Sequence, residues 1–305
     1  MLRSLGSKPI QWALLGVCTM FITFRVWKRL KYRPSPPVDT VLSFDVADED
    51  CLYRIQRHCK HHGTRGVYVW LKWPDLIPEE YRTYGPSVIR HLSKLDEWNG
   101  GWETLIIDKD DAGRLQVLCD AFPPHRVSED MIIGSYPAFN VFDLKDVKEV
   151  KSRTHSCRIR GKKCFVKSAR FAFEIPALER EISAYYSLIQ YKSKLAPGLV
   201  GFVYEGNKSR IIGFATEEVA GRYPTIDDYD LCDEALQKLH GLGIVHGDVN
   251  IYNMIVMRDG IKLLDFEEAR IDQRRSEAWA QLAQDERQTL RERLSDTSGI
   301  GKPWD

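Results

Sequence analysis

The sequence predicts an α+β protein made of a leading apolar segment, an accessory region and a sharply patterned C-terminal half. Three observations carry this. Ile10 to Phe24 is apolar on every face. Strand and helix signals mix between 41 and 145. From about residue 146 the spacing of apolar residues reads β-β-β-α-β-β, then a helix, a polar loop, a short hairpin and a last helix.

The chain has 305 residues, enough for one large unit or two small domains. Hydrophobic residues make up 43% and charged residues 29%, the balance of a folded globular protein. The net charge of +1 gives no global field that would attract nucleic acid, so no nucleic-acid partner is expected. The charge is uneven. Arg3, Lys8, Arg25, Lys28, Arg29, Lys31 and Arg33 precede the first acid, Asp39, and the remainder is acidic in balance. Seven scattered cysteines with no C-x-x-C point to a reducing compartment rather than a disulfide framework. Cys51, His58, Cys59, His61 and His62 cluster in the sequence. Their spacing matches no zinc template, and the stretch reads as a solvated helix end.

The leading apolar run extends past Arg25 through Val26 and Trp27, because an arginine can snorkel. A basic flank ending at Arg33 and the breaker Pro34-Ser-Pro-Pro37 come next. The expectation is an anchor or targeting segment over 1–33. Residues 10–27 would form a single membrane helix, with the rest held in the cytosol by the positive flank. A mitochondrial presequence is the alternative that the basic, acid-free composition also suits.

Residues 34–40 read as a linker, and 41–145 as an accessory layer on the C-terminal half. Gly66 to Leu71 is a strand, and Val88, Ile89, Leu92, Leu95 and Trp98 stand at helical spacing. Thr104–Ile107 and Leu115–Cys119 flank a turn at Asp108 to Gly113, which reads as a hairpin. Trp70, Trp73, Trp98 and Trp102 read as core. In the last part, 146–305, strands are expected at Val147–Lys151, Cys157–Arg160, Cys164–Lys167, Leu199–Tyr204 and Arg210–Val219. Helices are expected at Ala177–Leu188, Tyr229–Leu242 and Ser276–Leu294, and a short pair of strands at Met254–Met257 and Ile261–Leu264.

The chemistry concentrates in His246-Gly-Asp-Val-Asn-Ile-Tyr-Asn253 and Leu264-Asp265-Phe266-Glu267. Two carboxylates and an amide, Asp248, Asn253 and Asp265, stand at fixed spacing beside apolar runs. Carboxylate and amide oxygens are what a hard, octahedral Mg2+ prefers. Upstream, Lys167 ends the apolar strand Cys164-Phe-Val-Lys167 and needs a partner. Glu181 in the following helix supplies one, with Glu179 the alternative.

These motifs resemble the catalytic loop H-x-D-x-x-x-x-N, the metal-binding D-F-G and the V-A-I-K strand of protein kinases and of aminoglycoside and choline kinases. They are similar also to fungal kinase-like proteins carrying H-G-D-x-N-x-Y-N. The resemblance spans 146–270. It implies a bilobal protein-kinase-like fold with a five-stranded N-lobe and a minimal helical C-lobe, using ATP and Mg2+. It implies catalytic roles for Asp248, which orients and deprotonates the acceptor hydroxyl, and for Asn250, which stands where protein kinases carry a γ-phosphate lysine. Asn253 and Asp265 would hold metal. Lys167 would bind the α- and β-phosphates with Glu181 holding it in place. The backbone of Glu217 and Val219 would bind adenine.

The chain departs from the pattern in several ways. Ser152-Arg-Thr-His-Ser156 replaces the glycine-rich loop, leaving Ser152 and Thr154, with Arg153, as the side chains that can touch phosphate. Gly247 replaces the arginine of H-R-D, and Glu267 the last glycine of D-F-G. Only 26 residues lie between Val219 and His246, and 38 follow Glu267, too few for the helical insertions that build small-substrate pockets. That favours a macromolecular acceptor, or a pocket completed by residues 41–140. The function expected is phosphoryl transfer to a protein Ser/Thr. A metabolite or lipid alcohol as acceptor, and a non-catalytic pseudokinase, are the alternatives.

Overall fold

The computed structural model describes residues 38–59, 63–299 and 301–304. They form a mixed α+β structure. The first sheet has five strands in sequence order, β1 (Val38–Val46), β2 (Cys51–Cys59), β3 (Gly63–Leu71), β4 (Thr104–Lys109) and β5 (Leu115–Cys119). All neighbours are antiparallel except β3 and β4, which are parallel. A parallel pair needs a crossover, and here the crossover carries α1 (Gly85–Leu92). Alternate residues of β2 and β3 (Tyr53, Ile55, Val67, Val69) point under α1 and pack with Val88, Leu92, Trp98 and Trp102. In this core Arg57 is 1% exposed. It is bound bidentately by Asp39 at 2.8 and 3.1 Å and lies over the rings of Trp98 and Trp102.

The second sheet has six strands in the order β6-β10-β11-β9-β8-β7. They are β6 (Ala138–Asn140), β7 (Lys145–Lys151), β8 (Thr154–Ile159), β9 (Lys162–Ser168), β10 (Leu199–Tyr204) and β11 (Ile211–Glu217). Between β9 and β10 runs α2 (Ile175–Gln190), which buries Leu178, Ile182, Tyr185 and Leu188. Next come α3 (Tyr229–Gly241), β12 (Ile244–Val245), the hairpin of β13 (Met254–Met257) and β14 (Gly260–Leu263), β15 (Arg270–Ile271) and α4 (Glu277–Ser295). α3 starts behind a reciprocal cap between Thr225 and Asp228, and α4 behind the Ser276 hydroxyl, which accepts from the Trp279 amide. One core cluster joins α2, α3, the β13–β14 hairpin and α4 through Leu178, Phe214, Leu236, Met254, Leu263 and Leu290.

The elements expected from 146 onward are present within a few residues. Several expectations change. The linker expected over 34–40 gives way to β1 from Val38, because Asp39 is the partner of buried Arg57. Cys51–Cys59 is a strand, not a helix end. Its period of two turns buried Cys51 and exposed His58 to opposite faces. Leu95 and Trp98 reach the core after α1 has ended. The expected five-stranded sheet has six strands, because β6, from the region assigned to the accessory layer, adds parallel to β10. β11 stops at Glu217 rather than Val219. The expectation of a membrane-anchored chain is corrected as well. Among the described residues no helix is long and apolar enough to cross a membrane. Residues 1–33, on which the membrane and mitochondrial readings rested, lie outside the described residues.

The two sheets are tied by a buried charge network. Glu205, in the turn after β10, is fully buried and accepts from Arg54 of β2 at 2.7 and 3.0 Å. It also accepts from Arg210 at 2.9 Å and from the Tyr68 hydroxyl. Gly66 makes room for it: a Cβ there would lie 2.3 Å from the Glu205 carboxyl carbon. Burial works against the ionised form, but Arg54 and Arg210 more than offset it and hold the Glu205 pKa down at about 2.

His125 packs edge-on against Tyr68, with ring centroids 5.1 Å apart, and its Nε2 lies 3.1 Å from the Ala169 carbonyl. A carbonyl only accepts, so Nε2 carries the proton. Burial first, and the Arg210 charge second, depress the His125 pKa to about 4. The unfolded chain takes up this proton below its ordinary pKa of about 6.5 and the folded chain does not. Stability is therefore expected to fall as pH drops from about 6.5 towards about 4, by on the order of 3 kcal/mol from this group. Urea denaturation of wild type and His125→Gln at pH 7 and pH 4.5 checks this. An equal loss in both proteins removes His125 as the source.

Candidate active site

A cleft of about 390 Å³ opens between the six-stranded sheet and the loops that follow β12 and β14. Its wall holds Lys167, Glu181, Asn253 and Asp265 together, from β9, α2, the turn before β13 and the segment after β14. Lys167 Nζ donates to Glu181 Oε2 at 2.7 Å and to Asp265 Oδ1 at 2.5 Å, and lies 3.1 Å from Glu267 Oε1. Glu179 is elsewhere, accepting from the Ser128 amide and hydroxyl.

One ammonium thus serves three carboxylates whose oxygens lie within 4.8 Å of one another. Burial works to lower the Lys167 pKa, but Glu181, Asp265 and Glu267 outweigh it and hold the lysine above its ordinary value. Glu181, 3% exposed, is pushed up to about 7 by burial, against the pull of Lys167. Asp265 goes the other way: burial would raise it, and Lys167 and Lys151 hold it below the usual carboxylate range.

The loop after β12 is held from behind. His246 is fully buried. Its Nε2 donates to the Leu264 carbonyl at 2.9 Å, and its Nδ1 accepts from the Asp248 amide at 3.3 Å. It therefore braces the residue before Asp265 and the loop bearing Asp248 at once. Burial lowers its pKa, so it stays neutral in this role. Glu286 of α4 accepts from the Gly247 amide at 2.7 Å, the His246 amide at 3.3 Å and His240 Nε2 at 2.7 Å. Gly247 has φ +85°, and a Cβ there would lie 2.2 Å from the Glu268 carbonyl oxygen. No larger residue fits, which is why no arginine stands at this point of the loop.

Asn253 Nδ2 donates to Asp248 Oδ2 and to the Asp248 carbonyl, both at 2.9 Å. Its Oδ1 is buried with no protein partner. Asp265 sits at φ +64°, a left-handed conformation that costs a non-glycine residue and collects at functional sites. Arg180 of α2 pins the same segment by donating to the Glu267 carbonyl at 2.6 Å.

The other expected residues fall as follows. Asp248 is exposed at the rim, joined to the wall through Asn253. The Asn250 side-chain oxygen accepts from the Tyr252 and Asn253 amides, and its nitrogen is 3.4 Å from Asp248 Oδ2. That side chain is occupied in shaping the loop, which makes Asn250 a positioning residue rather than a phosphate contact. Glu217 and Val219 both line the cleft, but the Glu217 amide is bonded to the Gly198 carbonyl at 2.9 Å. Thr154 is on the wall. Ser152 lies off it, in the two-residue turn between β7 and β8.

The sequence reading missed three contributors, Lys151, Glu286 and the segment after α4, and made Arg153 a phosphate contact rather than a partner of Glu267. Lys151 lies on the wall, 3.8 Å from Asp265 Oδ2, and Arg153 donates to Glu267 Oε2 at 2.5 Å. Glu286 holds the loop. The segment after α4 returns to the cleft: Gly301 abuts the Asn250 side chain, Pro303 lines the wall, and the Trp304 amide donates to the Val150 carbonyl at 2.8 Å. Arg153 and Glu267 are 114 positions apart, so no local pattern announces the pair. Among the described residues, none of 38–122 lies on the cleft wall, so the accessory sheet does not complete this pocket.

No model of a known protein family matches the chain, and no curated protein matches it.

Proposed function

We propose that the chain is an ATP- and Mg2+-dependent phosphotransferase of the protein-kinase-like superfamily, acting on a protein serine or threonine. In this reading the six-stranded sheet with α2 is the upper lobe. The elements from α3 to α4 are a minimal lower lobe. The observation that carries it is the convergence of Lys167, Glu181, Asp248, Asn253 and Asp265 at one cleft, from elements far apart in the chain.

The residues fit a divalent cation on their own chemistry. Asn253 Oδ1 is a buried acceptor without a protein partner, and Asp265 lines the same cleft in a carboxylate-rich cluster. These two would hold the ion, which neutralises charge on the transferring phosphoryl group. Lys167, kept charged by its carboxylates and fixed by Glu181, binds phosphate oxygens. Asp248 accepts the hydrogen bond of the acceptor hydroxyl. As the new O–P bond forms and the bond to the leaving ADP breaks, it takes up the hydroxyl proton. Exposure of Asp248 and a cleft without the accessory sheet in its wall favour a large acceptor that brings its own hydroxyl to the rim.

Thermal denaturation of the full chain with and without Mg-ATP tests this. Nucleotide bound to the native state alone is expected to add about 2.7 kcal/mol at a hundred times Kd. The gain should need magnesium and vanish in Asp265→Asn. No gain for the wild type at millimolar Mg-ATP would overturn the reading.

A further inference from the structure

A triphosphate needs more positive charge than Lys167 can supply while three carboxylates share it. A glycine-rich turn would meet phosphate oxygens with backbone amides. Here the β7–β8 connection is only Ser152-Arg153 and has no glycine. The basic side chains at this hairpin tip are Lys151, the last residue of β7, and Arg153. Lys151 is on the cleft wall with its ammonium 3.8 Å from Asp265 Oδ2, and its side chain is 29% exposed. Arg153, 20% exposed, donates to Glu267 and comes within 3.9 Å of Glu174. Its hydrogen bond to Glu267 ties the tip of the hairpin to the segment after β14, and so holds Lys151 above Asp265. The Trp304 amide fixes Val150, the residue before Lys151.

We propose that Lys151 is the principal β/γ-phosphate-binding side chain of this cleft, and that Arg153 positions it by latching the hairpin to Glu267. The proposal rests on the nucleotide reading above. Lys151 faces a carboxylate on one side and the open cleft on the other. Its ammonium can turn from Asp265 to phosphate oxygens, replacing an amide cradle with a point charge.

The test is equilibrium binding of Mg-ATP and of adenosine to the full-length protein, wild type against Lys151→Ala, Lys151→Arg and Arg153→Ala. Lys151→Ala is expected to weaken Mg-ATP by about tenfold or more, as for a lost charge-assisted contact. Adenosine affinity should stay unchanged, which also reports an intact fold. Lys151→Arg should stay within a few-fold of wild type for Mg-ATP. Arg153→Ala should weaken Mg-ATP less than Lys151→Ala and flatten the salt dependence less. Unchanged Mg-ATP affinity in Lys151→Ala, or an equal loss for both ligands, would overturn the phosphate assignment while leaving the nucleotide reading intact. A wild type that binds neither ligand would sink both.

Discussion

Asp248→Asn is expected to lower phosphoryl transfer by about 10² to 10⁴-fold, the range for a positioned general base. Stabilisation by Mg-ATP should be kept. The two readouts separate because Asp248 sits at the rim while Lys167, Asn253 and Asp265 form the wall. Asparagine matches the size of aspartate and can still accept the Asn253 amide hydrogen, so the loop should hold its shape. What it cannot do is take a proton. Labelled γ-phosphate transfer to a mixed pool of proteins, in single turnover, gives the rate whichever protein is the acceptor. Equal transfer by variant and wild type would show that Asp248 is not the base. Transfer to small alcohols alone would redirect the acceptor class.

The second large effect concerns stability. Glu205→Ala is expected to cost about 3–5 kcal/mol, because it leaves Arg54 and Arg210 buried without their shared carboxylate. Arg54 is 7% exposed and cannot reach water without moving β2. Glu205→Gln keeps an acceptor for one arginine and should cost less. Because the folded pKa of Glu205 lies at about 2, its stabilisation is complete above the ordinary carboxylate range and is lost as pH falls towards 2. Urea denaturation measures both. If the network joins the sheets as the contacts imply, Glu205→Ala should also split a single transition into two, the five-stranded sheet melting apart from the rest. A cost under about 1 kcal/mol with one transition kept would mean that apolar packing alone joins them.

Much of the second half could be read from residue order. Leu199–Tyr204 begins and ends where its apolar run does, and Ser276 announces α4 by its capping chemistry. The Lys167–Glu181 pair was legible because a lysine closing an apolar strand demands a partner and the next helix offers one fourteen residues on. The choice of Glu181 over Glu179 depends on which face of α2 turns inward, and a two-residue difference rotates a side chain by about 200° on a helix. The first sheet was less legible. β1 and β2 are rich in charged residues, and Arg57 is core only because Asp39, Trp98 and Trp102 surround it.

Residue order alone set the α+β character, most elements after 146 and the short-range spacing of Asp248, Asn253 and Asp265, since turn chemistry, apolar period and a five-residue loop are local. Only folding in three dimensions settled the sixth strand, the Glu205 tie between sheets, the placing of Lys151 and Arg153 over the acidic cluster, and the return of Pro303 and Trp304 to the cleft. Each of these joins residues remote in the chain or completes a sheet edge. Backbone pairing and buried charge are satisfied by whatever partner the fold brings within reach, and a linear pattern carries no record of that partner.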